Sequence, residues 1–135
     1  MDIGYCDCYI GEGEVSFGGL NSLPRAKLCA DIIEKRLELV GAKIDEYRTD
    51  YIGYNSLCKT KVSDSFSSEE HTEIRLRVSG RTKSFKDAGL ISQELDYLYT
   101  NGPAGSSGIE SRVREVLSIG AIIIPEGDII TRKLL

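Results

Sequence analysis

The chain has 135 residues, 41% of them hydrophobic and 28% charged, with a formal net charge of −4 at neutral pH. That length suits one domain of the usual ~100–200 residues, which needs neither disulfides nor a metal to stabilise its core. The negative balance argues against a nucleic-acid or anionic-membrane partner, and no run approaches the ~18 consecutive apolar residues of a membrane span.

The start, Met1-Asp2-Ile3-Gly4-Tyr5-Cys6, has no basic segment followed by an apolar run. No signal peptide is therefore expected, and the cytoplasm is the expected compartment. The four cysteines, at positions 6, 8, 29 and 58, are then expected as reduced thiols. The first strand is read over Tyr9–Phe17. From Glu14 it alternates, Val15 and Phe17 on one face and Glu14 and Ser16 on the other, and Gly18-Gly19 ends it.

The first helix follows. Ser22 is read as its N-cap and Pro24 falls in the first turn, where a missing N–H costs nothing. Ala26, Ala30, Ile33, Leu37 and Val40 form one apolar stripe, and Gly41 stands where a left-handed cap is expected. Tyr47–Tyr54 has the aromatic and β-branched content of a strand. Residues 59–70 read as a mobile, serine-rich polar connection. Ile74, Leu76 and Val78 then alternate with Glu73, Arg75, Arg77 and Ser79, a strand with one wet face.

The second helix is placed from Ser84, with Asp87 three residues on as in a capping box. Ala88, Ile91, Leu95 and Leu98 form its buried stripe, and Asn101-Gly102-Pro103 stops it. After a glycine-rich loop through Gly108, the last strand is read from Arg114 to Pro125. The order β-α-β-β-α-β predicts one α+β domain over 1–135, a ferredoxin-like sandwich. Its four-stranded antiparallel sheet has both helices on one face and the first and third strands in the centre. The last strand is apolar on both faces, Val116, Ile122 and Ile124 on one and Leu117, Ile119, Ala121 and Ile123 on the other. Such a strand needs cover on both sides, which predicts packing against another subunit or domain.

Candidate chemistry is sparse. Backbone N–H groups in the loop Asn101, Gly102, Gly105, Ser106, Ser107 and Gly108, with Arg112 close behind, could cradle a phosphate or carboxylate; the same loop also reads as a plain helix-to-strand connection. It lacks the order of a P-loop, so nucleotide hydrolysis is not expected. Glu12 and Glu14 share a strand face and could divide acid and base roles, or simply be solvated. Cys6 and Cys8, expected on one side of a strand, could join Cys58 and His71 around zinc, but the spacing is foreign to common zinc sites and no metal or other cofactor is expected. RNA recognition would need aromatics where the third strand carries Glu73, Arg75 and Arg77. Whether the chain is an enzyme is left open at this level.

Three stretches together resemble the C-terminal part of the acyclic terpene utilisation (AtuA-like) family. They are Gly11-Glu12-Gly13-Glu14-Val15-Ser16-Phe17, Glu73-Ile74-Arg75-Leu76-Arg77-Val78 with Arg81-Thr82, and Leu98-Tyr99-Thr100-Asn101-Gly102-Pro103-Ala104-Gly105. Arg25-Ala26-Lys27-Leu28 and Arg114-Glu115-Val116 add to the match, which runs from about Gly11 to Pro125. Where the family continues in glycines, this chain has Ser106-Ser107. The resemblance implies the C-terminal module of a longer protein, packed against an N-terminal α/β region or its own copies. It further implies a role in the breakdown of branched isoprenoid acids or acyl-CoA thioesters, with no catalytic residue to carry over. The alternative is a non-catalytic ligand-sensing or oligomerisation module.

Overall fold

The computed structural model describes residues 1–59 and 71–125. Its elements are β1 (Asp2–Gly18), α1 (Ser22–Leu39), β2 (Glu46–Ile52), β3 (Glu73–Thr82), α2 (Phe85–Asn101) and β4 (Ser106–Ala121). The strands form one sheet in the order β2-β3-β1-β4, every neighbouring pair antiparallel. This is the expected ferredoxin-like α+β sandwich. Apart from Lys59, the connection over 59–70 lies outside the described residues.

Alternation places the core. Val15 and Phe17 of β1 and Ile74, Leu76 and Val78 of β3 are buried with Ala26, Ile33 and Leu37 of α1 and Ile91 and Leu95 of α2. Both helices therefore cover the same side of the sheet. The contact is closest at three glycines. A Cβ on Gly11 would lie 2.1 Å from the Ala88 carbonyl oxygen, one on Gly13 would meet Leu95 at 2.5 Å, and one on Gly80 would meet Ile91 at 2.5 Å. Arg36 of α1 ties the helices together through Glu94 of α2, at 2.9 Å.

The helix ends refine the reading of the sequence. Asn21, in left-handed geometry, is the N-cap of α1. Ser22 is the first helical residue instead, fully buried, its hydroxyl donating to the His71 carbonyl at 2.5 Å. Val40 is 41% exposed and falls outside the stripe, while Gly41 takes the expected left-handed turn at φ 70°. At α2 the expected cap holds: the Asp87 N–H donates to the Ser84 hydroxyl, which donates to the Asp87 carboxylate. The helix runs through Asn101, and Gly102 caps it in extended geometry.

Two strands are longer than the alternation shows. β1 begins at Asp2 and β4 at Ser106, and their far halves pair only with each other, from Cys6 opposite Leu117 to Asp2 opposite Ala121. Backbone bonds between Met1 and Ile122 extend this ribbon further. A bulge between Cys6 and Cys8 adds one residue, Asp7, and resets which side chains face which side. The ribbon projects past the helices. Leu117 is 71% exposed and Ile119 77%, and Ile3, Tyr5, Ile122 and Ile123 are also exposed.

Candidate functional site

The Gly11-Glu12-Gly13-Glu14 motif is divided between the two sides of the sheet. Its glycines lie under α2, and its glutamates point to the face without helices, because successive strand residues alternate. The strand registers then set the open face out in rows. Arg114, Ile10, Arg81 and Glu46 form one row across β4, β1, β3 and β2. Arg112, Glu12, Ser79 and Arg48 form the next, and Glu110, Glu14, Arg77 and Asp50 the third. Arg75 opposes Ser16 in the row beyond.

Ion pairs run both within and between these rows. Arg112 meets Glu12 at 2.6 Å and Arg75 meets Glu14 at 2.5 Å. Asp50, fully buried, accepts from Arg48 at 3.0 Å, Arg77 at 2.9 Å and Lys59 at 2.6 Å. Burial alone would raise the Asp50 carboxyl, but bonds from Lys59, Arg77 and Arg48 outweigh it and hold it at about 2. Arg81 meets Asp7 at 2.9 Å, and that carboxylate raises its guanidinium further. Among the described residues Arg114 has no carboxylate within ion-pair distance.

Two depressions open on this face. One, of about 260 Å³, is lined by Glu12, Glu14, Glu110, Ser111 and Arg112. The other, of about 540 Å³, lies over Ile10 and Ser79 with Arg48, Arg81 and Glu46 at its walls. The register places Arg112 and Arg114 along the β4 side of Ile10, so four arginines surround two small or apolar residues. Beyond Arg114 the same face carries Val116 beside Cys8, then the Asp7 carboxylate held by Arg81 and Ser118, and then the exposed apolar side chains of Tyr5, Ile3 and Ile122.

Of the residues singled out in the sequence, the structure brings Glu12, Glu14 and Arg112 together and sets the glycine-rich loop apart from them. Asn101 ends α2, its side-chain amide donating to the Tyr97 carbonyl. Ser106, Ser107 and Gly108 already belong to β4, and Gly108 presents its carbonyl to Arg75 at 3.2 Å. Gly105 packs on Arg25, whose guanidinium binds the carbonyls of Ala104, Gly18 and Leu20 and so pins the loop to the β1–α1 turn. The loop thus turns two of its carbonyls, those of Ala104 and Gly108, toward arginines.

The reading of the sequence missed Arg48, Asp50 and Ser79. Alternation on the third strand marked Arg75 and Arg77 as facing water, but which β2 and β4 residues flank them depends on register. Cys6 and Cys8 are separated by the Asp7 bulge: Cys8 is buried, and Cys6 is exposed with its thiol raised chiefly by a bond to Glu115. No group of three or more metal-ligating side chains lies close enough to hold an ion among the described residues. Nor is any described helix long and apolar enough to cross a membrane.

No curated protein matches the chain. The family model described as acyclic terpene utilisation family protein AtuA matches residues 1–134, essentially the whole chain. The chain therefore belongs to the AtuA family, a membership that suggests a role in acyclic terpene utilisation.

Proposed function

We propose that this chain is the C-terminal module of a longer AtuA-family protein acting in the catabolism of branched isoprenoid compounds. In this reading its open sheet face receives a branched isoprenoid acid or the corresponding acyl-CoA thioester. The observation that carries the reading is the change of character along that face. Arg48, Arg81, Arg112 and Arg114 surround Ile10 and Ser79, and the strip through Val116, Tyr5 and Ile3 continues from them. An anionic head group is matched by guanidinium groups, and a branched hydrocarbon chain by the apolar side chains of Val116, Tyr5 and Ile3, which flank the Asp7–Ser118 pair.

Arg114, which has no carboxylate partner among the described residues, is the natural first contact for the anion. Glu12 accepts from Arg112 and Glu14 from Arg75, which suits both carboxylates to orienting guanidinium groups. The reading assigns binding to these residues and no bond-breaking step. A module that only assembles is the second reading, favoured by the bare Leu117 and Ile119.

Thermal denaturation of the chain with branched isoprenoid acids and their CoA thioesters tests the proposal. A ligand at ~100 times its dissociation constant adds ~2.7 kcal/mol to stability. The expected result is a stabilisation by the branched compounds that Arg114→Ala reduces at least tenfold in apparent affinity. Absence of any shift across both compound classes would overturn the reading.

A further inference from the structure

β4 is an edge strand, and among the described residues its outer backbone edge is unpaired from Ser106 to Ala121. Natural proteins blunt long edges with charges, prolines or a covering segment, because an open edge pairs with other strands. Here the charged residues Glu110, Arg112, Arg114 and Glu115 sit toward the helix-covered half. The projecting half carries Leu117 and Ile119 on the helix side and lies against Tyr5 and Ile3 of β1 on the other. Monomers rarely expose contiguous apolar patches beyond about 300–600 Å². Exposed side chains on both faces of one ribbon are more than scattered surface leucines.

The geometry points to a second copy of this chain as the occupant, joined by antiparallel β4–β4 pairing about a two-fold axis at Val116. Charge excludes the axes from Arg112 to Glu115, and of the remaining axes that engage the apolar tip Val116 pairs the longest stretch of β4, Ser111 to Ala121. In a two-fold antiparallel pair each residue meets one equally far on the other side of the axis. An axis at Arg112 or Arg114 sets that arginine against itself, and one at Val113 sets Arg112 against Arg114. An axis at Glu115 opposes two glutamates. An axis at Ser111 pairs Glu110 with Arg112 but leaves the apolar tip unpaired.

At Val116 no like charges meet. Arg114 lies opposite Ser118 of the partner subunit and Arg112 opposite Gly120 of the partner subunit. On the helix side Leu117 lies opposite Glu115 of the partner subunit, and Ile119 opposite Val113 of the partner subunit. Each copy's bare tip then runs alongside the half of the partner that its second helix covers, which shields Leu117 and Ile119. The sheet becomes eight-stranded and the open faces of the two copies continuous. Like-charge pairs directly opposite are destabilising and opposite pairs favourable, so this register is readable by charge.

Sedimentation velocity of the 135-residue chain tests this, with circular dichroism melts to confirm that each variant is folded. A dimer is expected for the native chain. Leu117→Glu and Leu117→Lys remove the same apolar side chain, but only the former faces a like charge. Leu117→Glu is therefore expected to weaken dimerisation at least tenfold relative to Leu117→Lys, and adding Glu115→Lys to Leu117→Glu to restore it. A native chain that stays monomeric at high micromolar concentration overturns the inference. So does a dimer indifferent to Leu117→Glu, or one in which both substitutions at Leu117 act alike and Glu115→Lys rescues nothing.

Discussion

Three glycines of β1 differ only in what stands above them, and substituting each by alanine gives a graded test of how α2 seats on the sheet. A Cβ at Gly11 would lie 2.1 Å from the Ala88 carbonyl oxygen, 2.8 Å from its carbon and 3.0 Å from its Cα. These are backbone atoms in mid-helix and cannot turn aside. α2 must lift by ~1 Å or more, which loosens Ala88, Ile91 and Leu95, each at most 1% exposed. Overpacking of this kind costs about 1–3 kcal/mol, and Gly11→Ala belongs at the top of that range. At Gly13 the obstacle is the end of the Leu95 side chain; a rotamer change absorbs part of it, and about 1 kcal/mol is expected. Gly4 has nothing within 4 Å, so Gly4→Ala gains about 0.5–1 kcal/mol from reduced chain entropy. Urea denaturation followed by circular dichroism, with unchanged m-values, reads all three. In a domain of this size about 1 kcal/mol moves Tm by ~4 °C. If Gly11→Ala proves as stable as Gly4→Ala, α2 does not rest on the β1 backbone and the description of the site built on that contact fails.

Three more perturbations have defined outcomes. Because Asp50 titrates at about 2 when folded and near ~3.9 when unfolded, its contribution to stability is complete above pH ~4 and is lost as pH falls toward 2. Asp50→Asn should flatten that part of a stability–pH curve measured by chemical denaturation. Arg25→Ala removes the donor that binds the Ala104, Gly18 and Leu20 carbonyls. Faster amide hydrogen exchange around Gly105 and a loss of about 1–3 kcal/mol are expected, and unchanged exchange there would count against the pinned loop. Burial pushes the Cys29 thiol up to about 11, so iodoacetamide at neutral pH should leave it unmodified in the folded chain and label it after unfolding, as read by peptide mass spectrometry.

The Gly-x-Gly-x motif shows what each level of description supplies. From composition alone it is a pair of flexible residues beside a pair of acids. In the fold the glycines at 11 and 13 make room for α2 while Glu12 and Glu14 hold Arg112 and Arg75 on the opposite face. Period-two alternation carried enough information to separate the two sides, but not to say what lay on either. Likewise, apolar residues on both faces of the last strand were legible, whereas the length of the ribbon was not. Its first-strand half, Asp2 to Cys6, does not alternate polar with apolar.

Local patterns in the sequence determined the element order, both helices, the Ser84 cap and, through right-handed crossovers, the placing of β1 and β3 in the centre. These depend on residues close together in the chain, whose periodicity and capping act over one or two turns. Register, the Asp7 bulge and the set of arginines around Ile10 and Ser79 were decided only in the tertiary structure. A strand's cross-strand neighbours come from segments a hundred or more residues away, as Glu12 and Arg112 do. A slip of one residue would turn every side chain to the other face, so only burial of the whole core against both helices could fix which charges meet.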